Sequence, residues 1–188
     1  VINLAKNKAL FLDRDGVINF DHGYVSQIDQ FEFIDGIFEI CQAAQAKGYS
    51  LIIVTNQSGI GRGYFSQHDF DVLTEWMVDQ FAANDVQIND IMFCPHHPEK
   101  AVNEYKTDCD CRKPKPGMIL EAAQRQGINI AKSIMIGDKI SDMKAADLAG
   151  VGTRILLDSH YSRGQDDLGL ATHRIEALNE IFNLGVLN

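Results

Sequence analysis

The sequence predicts an α/β fold, a Rossmann-like parallel sheet flanked by helices. Three observations carry that expectation. Short, almost wholly apolar runs recur at 9–13, 50–55 and 133–138, the pattern of strands covered on both faces. Segments with apolar residues at helical spacing separate them, and strands alternating with helices build parallel sheets. Two of the three runs end in an acid, Asp13 and Asp138.

Ala9-Leu-Phe-Leu-Asp13 reads as the first strand. A polar, glycine-containing stretch runs from Arg14 to about Gln30, and Phe31 to Ile34 suits a brief strand or turn. Asp35 is placed to cap a helix whose face is Ile37, Phe38, Ile40, Cys41 and Ala44, with Gly48 as its stop. Ser50 to Thr55 is the clearest strand. Asn56 to Gly63 is a loop with three glycines. Ser66 and Asp69 suggest a capping box before a helix carrying Phe70, Leu73, Trp76, Met77 and Phe81. Ile91 to Phe93 is a strand, and Gly117 to Gln126 a helix. Ser133 to Asp138 is a strand, Ser141 caps a helix to Ala149, and Val151 to Leu157 is a fifth strand. The tail from Ile175 to Leu184 reads as helix.

The 188 residues suit a single domain, expected over 1–188. The net charge of −9 argues against a nucleic-acid partner, whose phosphates are held by clustered Lys and Arg. No apolar run approaches the ~18 residues of a membrane span, and the N-terminal segment reaches Asp13 too soon for a signal peptide. A cytoplasmic enzyme with no membrane partner is expected. Monomer is the expected state, because no amphipathic stretch is left over.

Ligands of open α/β sheets sit beyond the carboxyl ends of the strands. Asp13 with Asp15, Thr55 with Asn56, and Asp138 with Lys139 stand at three such ends. Taken singly, each is compatible with a polar turn or a helix approach. An EF-hand reading of the first fails, because Val17 and Tyr24 stand where oxygen ligands are required. Carboxylates converging on one edge repel unless a hard divalent cation sits among them, and Mg²⁺ fits.

A second cluster lies at 94–113. Cys94-x-His96 and Cys109-x-Cys111 are two ligand pairs, and three thiolates with one imidazole make a closed tetrahedral zinc site. His97 competes with His96. A Cys109–Cys111 disulfide would be strained and out of place in a reducing compartment. Cys41, on an apolar helix face, reads as a core thiol.

The motifs together resemble the haloacid dehalogenase superfamily of phosphatases. Phe11-Leu-Asp13-Arg-Asp15-Gly16-Val17 resembles its first motif, Val54-Thr55-Asn56 its second, and Ile136-Gly137-Asp138 with Asp142 its fourth. Lys113 stands where the third motif places a cation. Val17 departs from the threonine frequent there. Asp21-His-Gly-Tyr24, Thr55 to Gly59, Cys94 to Pro98 and Cys109 to Pro114 narrow the resemblance to members that act on small sugar bisphosphates.

That resemblance implies phosphate-monoester hydrolysis through a covalent aspartyl-phosphate. Asp13 would be nucleophile, and Asp15 would protonate the leaving oxygen and then activate water. Thr55 and Lys113 would hold the transferring phosphoryl group. Mg²⁺ would sit on Asp13, Asp138 and the main-chain carbonyl of Asp15. Asp21, His22, Gly23 and Tyr24, together with Asn56, Gln57 and Ser58, would contact the sugar. Arg112 and Lys139 would recognise the rest of the substrate, Arg112 suiting a second phosphate through its planar fork. The resemblance favours Cys94, His96, Cys109 and Cys111 as the zinc set, a structural site that fixes the loop bearing Arg112 and Lys113. A minimal cap is expected, because 188 residues leave no room for a large inserted cap domain. Two rivals remain: a histidinol-phosphate phosphatase, and a non-catalytic, zinc-stabilised module that binds sugar phosphates.

Overall fold

The computed structural model describes residues 7–187. The outermost ends of the expected domain, 1–6 and 188, lie outside the described residues, as does the start of the N-terminal segment. Among the described residues, six strands form one parallel sheet: β1 (Lys8–Leu12), β2 (Tyr49–Asn56), β3 (Ile88–Cys94), β4 (Ile134–Gly137), β5 (Thr153–Leu157) and β6 (His173–Ile175). Their order is β3-β2-β1-β4-β5-β6, and every pairing is parallel. The helices are α1 (Ile37–Ala46), a short turn α2 (Ser58–Gly61), α3 (Gln67–Ala83), α4 (Gly117–Gln126), α5 (Ile140–Ala149) and a short α6 (Ile181–Leu184).

Side chains of a strand alternate between faces, and both faces here are apolar. Leu10, Leu12, Leu51, Ile53, Ile134 and Ile136 share a core with Ile37, Ile40 and Cys41 of α1 and Leu73, Met77 and Phe81 of α3. Ala9, Phe11, Ile52, Val54 and Met135 pack with Met118, Ile119 and Ala122 of α4 and Met143 and Ala146 of α5. Cys41 is a buried core thiol, and burial pushes its pKa up to about 12.

Three boundaries differ from expectation. Gly36, in the left-handed region at φ 89°, takes the N-cap of α1 in place of Asp35. Lys139 takes the N-cap of α5 in place of Ser141, and the Asp142 carboxylate accepts from the Lys139 N–H at 3.0 Å. The tail from Ile175 is not one helix: Ile175 ends β6, a 3-10 turn covers Leu178–Glu180, and α6 spans four residues. The capping box of α3 forms as expected, Ser66 Oγ accepting from the Asp69 N–H at 3.1 Å.

Leu12 is level with both Ile53 and Ile136. Asp13, Thr55 and Asp138 therefore leave the sheet at one edge, at the point where strand order reverses on either side of β1. That is where α/β sheets open a crevice for ligands.

Candidate active site

A cleft of about 530 Å³ opens above these strand ends. Asp13, Asp15, Thr55 and Lys113 line it, as do Asp21, Gly23, Tyr24, Asn56, Gln57, Ser58, Arg112 and Lys139. Arg62, Ser141, Asp142 and Tyr161 line it too. None of these four is in the site expected from sequence, although Asp142 belongs to the fourth motif.

Lys113 is buried at the centre. Its Nζ lies 2.8 Å from Asp13 Oδ1 and 2.6 Å from Asp142 Oδ1, and it donates to the Val54 carbonyl at 2.8 Å. Burial works against the ammonium, but the two carboxylates outweigh it and hold its pKa above the ordinary lysine value. Asp13 also accepts from the Arg14 N–H through Oδ1, at 2.8 Å. Burial nevertheless raises the Asp13 pKa to about 6, against the pull of Lys113.

Asp138 is 0% exposed, and neither of its carboxylate oxygens has a hydrogen-bond partner. Burial, followed by the charge of Asp13, pushes its pKa up to about 8. An orphaned carboxylate beside a second one has no bonded partner for its oxygens. One oxygen each from Asp13, Asp138 and Asp142 can be chosen within 4.8 Å of one another. A hard, oxygen-binding divalent cation fits this donor set. Asp142 is already engaged with Lys113 and the Lys139 N–H, so Asp13 and Asp138 are the carboxylates with capacity to spare. The backbone yields to these groups at two glycines. A Cβ on Gly16, at φ 97°, would collide with the Asp138 carboxylate, and one on Gly137 with the Asp142 side chain.

Asp15 is surrounded by donors. Arg14, itself buried, reaches Oδ1 at 2.9 Å; Asn19 Nδ2 and Gln57 Nε2 donate at 3.1 and 2.9 Å. Gln57 Nε2 also donates to Thr55 Oγ1 at 2.9 Å, which leaves the threonine hydroxyl proton free for a ligand. The expected sugar contacts Gln57 and Asn56 thus have other work. Asn56 accepts from the Lys113 N–H and donates to the Lys113 carbonyl, both at 3.0 Å, a two-way clamp between β2 and the cysteine loop.

Lys139 Nζ pairs with Asp21 Oδ2 at 3.0 Å and lies 4.2 Å from the Tyr161 ring centroid. Burial opposes its charge, yet Asp138, Asp13 and Asp21 hold its pKa well above the ordinary value. His22 is the expected contact that lies elsewhere. It is exposed, faces Glu32 at 3.6 Å, and lines a neighbouring pocket with Phe20 and Ile34. The left-handed Gly23, at φ 81°, follows it and turns the chain so that Tyr24, not His22, borders the cleft.

The four zinc candidates converge. Cys111 Sγ is 2.9 Å from Cys94 Sγ and 3.2 Å from Cys109 Sγ, and His96 Nδ1 is 3.4 Å from Cys111 Sγ. The thiols are free, not disulfide-bonded. Burial raises the pKa of Cys94, and that of Cys111 to about 11, whereas at Cys109 burial is outweighed by hydrogen bonds from its neighbours, which lower it; a cation would favour the thiolate at Cys94 and Cys111. A closed zinc site fits this donor chemistry. His97 is otherwise occupied: its Nδ1 accepts from the Glu99 and Lys100 N–H groups at 3.2 and 3.1 Å. Arg112 Nη1 donates to the His96 carbonyl at 3.2 Å, fastening the basic pair to the cluster.

A HAD-hydrolase-like family pattern matches residues 110–179. The D-glycero-beta-D-manno-heptose-1,7-bisphosphate 7-phosphatase of Vibrio cholerae is 50% identical over 173 residues, covering 92% of this chain and 93% of that one. The enzyme of that name from Escherichia coli K12 is 52% identical over 149 residues, 79% of this chain and 78% of its own. Among solved structures, a HAD-like phosphatase of Mesorhizobium loti superposes with a TM-score of 0.85 at 31% identity, covering 96% of this chain and 86% of its own. The D,D-heptose 1,7-bisphosphate phosphatase of B. bronchiseptica, complexed with magnesium and phosphate, superposes with a TM-score of 0.78 at 29% identity, covering 94% of this chain and 97% of its own.

Proposed function

The chain belongs to the haloacid dehalogenase (HAD) superfamily of phosphatases, and on that footing we propose that it removes the 7-phosphate of D-glycero-D-manno-heptose 1,7-bisphosphate. The observation that carries the reading is the orphaned, fully buried Asp138 carboxylate beside Asp13, which pairs with Lys113 in a cleft flanked by further cations. Names and similarity of the relatives support the substrate. A place in the making of lipopolysaccharide precursors follows from that substrate. One chain supplies every group the reaction uses, which supports action as a monomer.

Asp13 and Asp138 would hold Mg²⁺, with the main-chain carbonyl of Asp15. When bound, the ion neutralises phosphoryl oxygens and the carboxylates around it. Both protein donors to Asp13 fall on Oδ1, which leaves Oδ2 to attack phosphorus. The bond between phosphorus and the C7 oxygen breaks as the Asp13–phosphorus bond forms, and Asp15 delivers a proton to the departing oxygen. Asp15 then takes a proton from water, whose oxygen attacks phosphorus and frees Asp13. Thr55 Oγ1 donates to a phosphoryl oxygen while Lys113 Nζ, engaged by Asp13, Asp142 and the Val54 carbonyl, supplies positive charge beside it, and Gln57 keeps Thr55 and Asp15 in mutual register. Asp21, Gly23 and Tyr24, with Ser58, border the space for the sugar, and Lys139 stands over it. Cys94, His96, Cys109 and Cys111 would hold structural Zn²⁺, remote from the bonds that change.

The test is a comparison of kcat/KM on heptose 1,7-bisphosphate and on histidinol phosphate with Mg²⁺ present. The bisphosphate should be strongly preferred, and Asp13→Asn should abolish phosphate release. Preference for histidinol phosphate would overturn the substrate. Activity surviving in Asp13→Asn would overturn the covalent step.

A further inference from the structure

The cations of the cleft fall into two groups. Lys113 is paired with Asp13 and Asp142, Lys139 with Asp21, and the buried Arg14 with Asp15. Arg62 and Arg112 line the same cleft, and among the described residues neither has a carboxylate within ion-pair distance. Arg62 Nε is buried without a hydrogen-bond partner, and the guanidinium lies 5.5 Å from the Tyr24 ring centroid. Arg112 gives one N–H to a backbone carbonyl and has four others to offer.

Both arginines stand on backbone braced by the same loop. Arg112 follows Cys111 in the cluster itself. Arg62 follows α2, where the Gly61 carbonyl accepts from the Val102 N–H at 2.9 Å. A Cβ on Gly61 would collide with the Pro95 carbonyl, so α2 is pressed against the segment that leaves Cys94. Two planar forks held this way, with donors unanswered and charge unbalanced, suit a dianion with several acceptor oxygens.

We propose that Arg62 acts with Arg112 as a specificity determinant, binding the phosphate of the substrate that is not cleaved. The assignment rests on the bisphosphate reading above. Arg62 is no part of the bond-changing machinery. Its role is to distinguish a sugar carrying two phosphates from one carrying a single phosphate.

Steady-state kinetics of the wild type, Arg62→Gln and Arg62→Lys on heptose 1,7-bisphosphate and on the 7-monophosphate test this. Arg62→Gln should lower kcat/KM for the bisphosphate at least roughly tenfold more than for the monophosphate, chiefly through KM, the loss expected for charge-assisted hydrogen bonds. Arg62→Lys should recover part of the loss. A ratio between the two substrates that Arg62→Gln leaves unaltered would overturn the inference while the bisphosphate reading stands. A wild-type protein inactive on the bisphosphate would overturn that reading, and this inference with it.

Discussion

Asp138 shows how one residue sets the demands of a site. Its carboxylate is held at about pH 8 by burial and by Asp13, and Asp13 itself is held at about pH 6 by burial. In the unfolded chain both groups would ionise near the ordinary value of ~4. Between that value and the folded ones, the folded state keeps protons that the unfolded state has lost. The stability of the metal-free protein therefore falls as pH rises through this window. A divalent cation replaces those protons with a better counter-charge, and its binding becomes easier as they leave. Mg²⁺ should accordingly raise Tm more at about pH 8.5 than at about pH 6, as read by calorimetry with and without the ion. Equal increments at both values would show that these carboxylates are not where the ion binds.

At the scale of elements, the cysteine loop and the Asn56 clamp hold the buried Lys113. The clamp fixes its backbone on one side, and the Arg112 contact with the His96 carbonyl ties the loop on the other. Purified protein should contain about one zinc per chain, and Cys109→Ala should lose it. Because the loop positions Lys113 and Arg112, that variant should also lose at least roughly tenfold in kcat/KM and melt at lower temperature. Metal analysis with kinetics checks both, and a zinc-free variant of full activity would refute the bracing role.

The limits of sequence reading fall at this scale too. The central strands were legible because burial on both faces forces unbroken apolar runs, as in Leu51 to Val54. β6 escaped because its three residues include His173 and Arg174, and an edge strand tolerates such residues. The caps of α1 and α5 were misplaced because backbone geometry at Gly36 and the demands of Asp142 outweigh local propensity. The strand-end acids and Thr55 could be read because the motifs keep them close in sequence to strand ends, and Lys113 because it follows the cysteine cluster in the loop between β3 and β4. Arg62 and Tyr161 could not, since only the packing of α2 and of the loop after β5 brings them to the cleft. Gln57 and Asn56 line the cleft, but their partners depend on long-range geometry that no spacing encodes.

Across the whole molecule, the two apolar cores share one sheet, each strand of β1, β2 and β4 contributing alternately to both. Neither face can lose its helices without exposing the back of the strands that support the other. We therefore expect one cooperative unfolding transition for a single domain. Trp76 packs against Phe31 and Phe33 on the α1–α3 side, with ring centroids 5.5 and 5.8 Å away, so its fluorescence reports one face. Far-UV circular dichroism reports both. The two probes should trace coincident denaturant curves for metal-loaded protein; separated midpoints would divide the molecule into independent layers.

The strand order has a further bearing on how the protein is made. Asp13 directly follows the first strand and Asp138 the fourth, with Lys113 supplied between them by a loop after the third. A growing chain therefore exposes an incomplete charge cluster until β4 has docked beside β1. No fragment ending before β4 can assemble the centre, and recovery of turnover during refolding will time the closing of that β1–β4 seam.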